Sequence, residues 1–442
     1  MTTALAAIYA FSCAALLWDG WKRSNPFLEL TFLAGVGSTT VLLPQGLGMW
    51  LAGTDVPEGA LARAFLMAAL SNGALLAGWR WYAPPPTAPA PPRHPVAPGR
   101  AFWWGALFIA IGYAASAALA RYTGGLFGQF TSEGAYTVEW RGMPVVWVFF
   151  VSFVMTGITL TALTALTLRS RLRLALPLAA ALLPLCWVLL LNRRNVAASL
   201  AIAAAGALAF GRLRTPPRWI APALLAGAFL VTFVFPALRG NDFARGDFSR
   251  LRDLDPSRVI AASLETPDGE FMHLVYGMAV TRADGAYEFG TGFYNMFVTL
   301  FVPKLLVGSQ FKQDLLVRAT DSDYFHNSLG WSARPTTAPT GPGCAYRQFG
   351  YFGCVYFFLL GRAMRVLAEK ARRGNDPFVQ TLFIILLAPA VAAMTNDIYT
   401  LYHPLLVHLP ALAVARHFSR AAAAAPGRTQ AWAARRWERR TA

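Results

Sequence analysis

The stretch Leu174–Phe210, LALPLAAALLPLCWVLLLNRRNVAASLAIAAAGALAF, decides what kind of protein this is. Residues 174–191 and 196–210 are two apolar runs, broken only by Asn192, Arg193, Arg194 and Asn195. Runs of this length read as helices that cross a lipid bilayer. The interruption is a short polar link between two spans. Adjacent arginines there are costly unless they meet water or an anion.

Working outward, similar runs recur at 3–18, 28–50, 60–82, 101–120, 144–168, 219–237, 350–367, 377–394 and 401–416. With 174–191 and 196–211 they predict an all-α polytopic membrane protein of about eleven transmembrane helices by the length criterion. The chain reads as one helical membrane domain, 1–442, because helices satisfy their backbone in hydrocarbon while open strands do not. The first run lacks a charged segment before it and reads as a membrane helix rather than a cleaved signal. The composition agrees: 56% of residues are hydrophobic and 14% charged, which excludes an ordinary soluble domain.

Threading the chain through these runs puts the basic links on one side: Lys22 and Arg23, the Pro-rich linker 84–100, RSRLR at 169–173, GRLRTPPR at 211–218, the Arg/Lys cluster at 362–373 and the basic tail 417–442. The positive-inside rule makes that side cytoplasmic, with the N-terminus outside and the C-terminus inside. The expected place is a membrane that the chain crosses many times. This topology accounts for the formal charge of +17. With no base-stacking or DNA-reading motif, nucleic acid is not expected as a partner. The four cysteines show no metal spacing. DSD at 321–323 is a lone acidic triplet, and neither a metal nor another cofactor is expected. His403 and His408, five apart, are expected on different helix faces as packed or hydrogen-bonded residues, and His273 as a loop residue.

NRRN falls on the outer side, against the charge rule. Either the arginines snorkel to lipid headgroups, or Arg193 and Arg194 grip a phosphate with their planar forks. The outer segment 239–349, between the eighth and ninth runs, is too long for a turn. Arg239 and Asp242 open it; a solvated charged face is the plain alternative. TGFYNMFVTLFVPKLL, 291–306, is apolar but short, and would lie at the interface or re-enter the membrane, with Lys304 at its end. HNSLGWSARPTTAPTGPGCAYRQFGYFG carries His326, Arg334, Tyr346 and Arg347 among turn-forming residues. Its aromatics suit sugar stacking or an interfacial belt.

Three features resemble the Wzy-type O-antigen polymerases, which join oligosaccharide repeat units. They are many spans with one large outer loop in the second half, the block GFYNMFVTLFVPKLL, and PTTAPTGPGCAYRQFGYFGCVYFFLLGRAMR with its Phe349–Gly350–x–x–Gly353 turn and Gly361. A family acidic residue before that turn has no counterpart; Cys344 stands in that region. The resemblance implies glycosyl transfer at the outer leaflet between undecaprenyl-pyrophosphate-linked oligosaccharides, with a separate chain-length regulator as partner. Such chemistry needs a base for the acceptor hydroxyl and cations for the departing diphosphate. His326 leads as base, with Asp242 and Asp397 as competitors. Arg193, Arg194, Arg239, Lys304 and Arg347 are candidates for the pyrophosphate, and Tyr346 and Arg334 for the sugar. A ligase acting on the same lipid carrier, or a transporter of it, are the competing functions.

Overall fold

The computed structural model describes residues 1–81, 96–123, 125, 143–191, 193–212, 269–285, 287–302, 304–317 and 339–420, with short pieces between 217 and 261. Among these residues, ten helices are long and apolar enough to cross a membrane. They are α1 (Thr2–Trp21), α2 (Leu30–Leu51), α3 (Ala60–Arg80), α4 (Pro98–Ala120), α5 (Val146–Thr167), α6 (Arg171–Leu190), α7 (Arg194–Gly211), α10 (Gly341–Arg373), α11 (Pro377–Thr395) and α12 (Ile398–Ser419). Among the described residues, α8 (Glu270–Asp284) and α9 (Thr291–Phe301) lie between α7 and α10, followed by two short helices, Lys304–Val307 and Ser309–Asp314. Ten of the eleven expected runs thus appear; the run 219–237 lies largely outside the described residues.

Local chemistry sets the helix ends. Asp376 accepts a hydrogen bond from the Phe378 backbone N–H at 3.0 Å, with Pro377 at the first helical position of α11, and both features favour a helix start. Asp397 caps the start of α12 in the same way, from Tyr399 N at 2.8 Å. Buried threonines of α5 return their hydroxyls to the preceding turn, as Thr164 does to Leu160 O at 2.7 Å, so that helix carries polar side chains without unpaired donors.

Where spans cross, glycines let backbones touch, as is common in membrane bundles. α4 meets α5 at Gly105 and Gly157, where a Cβ on Gly157 would stand 2.6 Å from Gly105 O. α3 meets α10 at Gly78 and Gly361. A Cβ on Gly361 would stand 2.4 Å from Leu75 O, and one on Gly78 1.9 Å from Phe358 O.

The two ends of the bundle differ. At one end Asp19 takes Arg80 Nε at 2.7 Å, Arg23 at 3.3 Å and the Thr31 hydroxyl at 3.0 Å. Glu29, 1% exposed, pairs with Arg372 at 2.5 Å. Asp376 takes Arg416 at 2.6 Å, and Ala97 N bonds Ser419 O at 3.1 Å. Basic links far apart in sequence are therefore tied together by direct contacts. The opposite end carries NRRN, α8 and the starts of α10 and α12.

α8 departs from expectation. It falls in the segment assigned to the outer surface, yet Phe271, Leu274, Val275, Met278 and Val280 are 0% exposed. These five side chains are covered by neighbouring helices, while Arg282 near the end of α8 is exposed. Phe271 packs against Phe65 and Tyr9 with ring centroids 5.2 and 6.3 Å apart. By contrast α9, the block expected to lie at the interface or re-enter, has Val298 as its buried residue.

Candidate functional site at the end of the bundle opposite the basic links

The link at NRRN leads directly to a buried carboxylate. Arg194, the first residue of α7, places Nη2 2.5 Å from Glu270 Oε1 at the start of α8. Glu270 is 6% exposed. Its other oxygen accepts from Gln45 Nε2 at 2.7 Å, and Gln45 Oε1 in turn accepts from Phe271 N at 2.9 Å. Gln45 therefore holds the carboxylate and caps the helix at once. Gly269 makes the room: a Cβ there would meet Gln45 Oε1 at 2.4 Å. Burial pushes the Glu270 carboxyl up, but the Arg194 charge and the Gln45 bond outweigh it, and the group stays below its usual range. A carboxylate position at a helix N-terminus adds to this. The pair contributes stability above the ordinary carboxylate range, and that contribution is lost on acidification through the lowered value.

His273 lies on the same face of α8 three residues on, 8% exposed. It is a buried helical residue, which corrects its expected place in a loop. Burial lowers its pKa, and the nearby Glu270 charge opposes that shift.

A second group forms where the end of α8 meets α10. Glu288 N donates to Arg347 O and Phe289 N to Gln348 O, both at 2.9 Å, so two short chain segments clip together. The clip needs left-handed backbone at Phe289 (φ 45°) and Gly290 (φ 94°), a conformation rare outside glycine. Arg347 pairs with Glu288, and Gln348 Nε2 donates to the same carboxylate. Gln348 Oε1 accepts from Gly290 N at 3.0 Å, and its Nε2 also reaches the Tyr399 hydroxyl at 3.1 Å. Gly292 leaves space for this contact, since a Cβ there would lie 2.0 Å from Glu288 Oε2. Asp397 sits nearby, and burial raises its pKa.

The residues expected from sequence divide accordingly. Arg194 and Arg347 each meet a carboxylate, and Arg193 stands beside Arg194, with its backbone carbonyl accepting Val196 N at 3.1 Å. Lys304 begins a short helix, 304–307, and is exposed. Tyr346, expected at the sugar, is 2% exposed, with its ring packed on Tyr287 and Tyr351. Phe349 and Phe352, on the same turn, are exposed. His326, Asp242, Arg239 and Arg334 lie outside the described residues, as does the DSD triplet.

Glu270, Gln45, Glu288 and Gln348 were not singled out from sequence. One signal was present for the first: Gly269–Glu270 heads the apolar run FMHLVYGMAV.

His403 and His408 also need correction. A π-helical turn, Pro404–His408, replaces the ordinary α-turn. It brings residues five apart onto one face. Both Nε2 atoms approach Ser152 Oγ, at 3.3 and 3.1 Å, and His408 Nδ1 lies 2.8 Å from Thr156 Oγ1. The pair joins α12 to α5 through a buried polar contact.

Among the described residues no group of three or more His, Cys, Asp or Glu could hold a metal. Comparison with known proteins finds no family model that matches this chain, no matching curated protein and no matching solved structure.

Proposed function

We propose that this protein is a membrane glycosyltransferase that joins undecaprenyl-pyrophosphate-linked oligosaccharide repeat units at the outer leaflet of a bacterial cytoplasmic membrane. The observation that carries the reading is the placement of Arg194 and Arg347 at one end of a polytopic bundle, the end opposite the Arg-rich links. Each arginine side chain is more exposed than the glutamate side chain it meets: 21% against 8% for Arg194 and Glu270, and 31% against 13% for Arg347 and Glu288. An anion arriving at that end meets arginine first. Arginine forks suit the oxygens of a diphosphate and the charge that develops as it departs. The Phe349–Gly350–x–x–Gly353 turn and the GFYNMFVTLFVPKLL block, which prompted the resemblance to Wzy-type polymerases, border the Arg347 group and support the same reading.

In this proposal the acceptor sugar hydroxyl attacks the anomeric carbon of the donor. The bond from that carbon to the pyrophosphate breaks, and its electron pair leaves with the lipid diphosphate. The hydroxyl proton passes to a base, for which His326, Asp242 and Asp397 are the candidates. The test is a deletion strain. Single repeat units on the lipid carrier are the expected accumulation, with no surface polymer. Long lipid-linked polymer would point instead to a ligase, and an unchanged ladder would remove the polymerase reading.

The orientation is part of the proposal. Ser309, an exposed residue just after α9, is expected to face outward. Ser309→Cys, in a chain freed of its native cysteines, should react with an impermeant thiol reagent on intact cells. Labelling only after the membrane is broken would reverse the map.

A further inference from the structure

The two arginine groups share one construction. In each, an arginine meets a glutamate. In each, a glutamine side chain gives its N–H to that glutamate and takes a backbone N–H with its oxygen: Gln45 between Glu270 and Phe271, Gln348 between Glu288 and Gly290. In each, a glycine clears the space, Gly269 for Gln45 and Gly292 for the Glu288–Gln348 contact. The two sets come from unrelated stretches of sequence. They sit at opposite ends of α8, a helix of 15 residues, about 22 Å long at 1.5 Å per residue.

Stripping a partner from a buried carboxylate is ordinarily very unfavourable. Here the glutamine remains when the arginine leaves. It is fixed at both ends, so it holds the carboxylate in place without the guanidinium. For Glu270 the N-terminus of α8 adds a favourable dipole. The arginine, the more exposed partner, can then turn toward a stronger anion. A diphosphate carries more charge than a carboxylate and accepts two parallel N–H bonds from one guanidinium.

We infer that the two Arg–Glu–Gln sets are exchange sites for phosphate groups, in which an incoming lipid pyrophosphate takes the arginine from its glutamate. Joining two lipid-linked units requires two pyrophosphates to be held, one on the donor and one on the acceptor, and the two sets supply two separate stations. This inference rests on the functional reading above and adds the glutamates as competitors for the substrate's place.

The test uses full-length protein in nanodiscs titrated with undecaprenyl pyrophosphate, read by native mass spectrometry for both affinity and number bound. Wild type is expected to bind two molecules, and Arg194→Gln or Arg347→Gln one. Glu270→Gln and Glu288→Gln remove the competing charge while keeping the shape, so each should bind about tenfold more tightly at its own station, a shift of about 1.4 kcal/mol. Should Glu270→Gln fail to fold, Glu288→Gln, at the other station, gives the same reading. Binding that Arg194→Gln and Arg347→Gln lose, and that Glu270→Gln and Glu288→Gln leave unchanged or weaken, would overturn the exchange alone. No binding by any form would overturn the functional reading together with it.

Discussion

Arg194→Gln, made together with Arg193→Gln, is expected to reduce surface polymer to a trace, with single lipid-linked repeat units in its place. The magnitude follows from the charge on the departing diphosphate. Removing one well-placed donor from a developing anion costs about 10²–10³-fold in rate, and this variant removes two guanidiniums. Stability must be separated from chemistry. Arg194 neutralises Glu270, and breaking a buried pair by removing one member costs about 3–5 kcal/mol. Three features soften that cost here. Gln45 keeps its bond to Glu270, a glutamine at 194 retains N–H donors, and Arg194 itself is partly exposed. A well-expressed variant is therefore expected, with a lowered melting temperature. Arg194→Lys discriminates further: it restores the charge but not the fork, so it should recover the melting temperature more fully than the polymer. Membrane-protein level and the glycan ladder, measured on the same cells, check both parts. A normal ladder from the double glutamine variant would remove the arginines from the site.

How much of this was legible in the sequence depends on what each residue answers to. Spans were legible because hydrocarbon enforces a length and a composition: nine of the runs appear as helices within three residues of their expected ends, and the tenth, expected over 350–367, runs longer, Gly341–Arg373. NRRN was legible because two charges at an apolar boundary are costly enough to demand a cause. α8 was not. At 15 residues, with Glu270, His273, Arg282 and Asp284 along it, it is too short and too polar to read as a span. Its burial comes from neighbours supplied by α1, α2, α3 and α10. Gln45 and Gln348 were illegible for a related reason. An amide has no charge to draw notice, and its role appears only when a carboxylate from 225 or 60 residues away arrives beside it. The histidine pair failed on geometry. Five residues is the wrong spacing for an α-turn and the right one for a π-turn, and local sequence does not announce the change.

Gly361→Leu is expected to prevent normal assembly of the bundle. On α10, Gly361 faces the backbone of α3, with the Cβ position 2.4 Å from Leu75 O and 2.9 Å from Trp79 N. Both are main-chain atoms in a helix, so the neighbour cannot yield by changing rotamer. Gly78 makes the reciprocal approach to Phe358 O, so the two helices meet backbone to backbone through two glycines. Overpacking a core typically costs 1–3 kcal/mol where side chains can move; here whole helices must separate, and a larger loss is expected. The consequence reaches the candidate site, because the segment leading into Gly361 carries Arg347 and Gln348. Moving α10 away from α3 would disturb the clip to Glu288 and lower polymer output even in molecules that reach the membrane. Gly73, also on α3, is the control: a Cβ there meets nothing within 4 Å, and Gly73→Ala should be neutral or gain up to about 1 kcal/mol from helix propensity. Size-exclusion profiles and thermal melts of the purified variants read both outcomes. A native melt for Gly361→Leu would mean that α3 and α10 do not meet through these glycines.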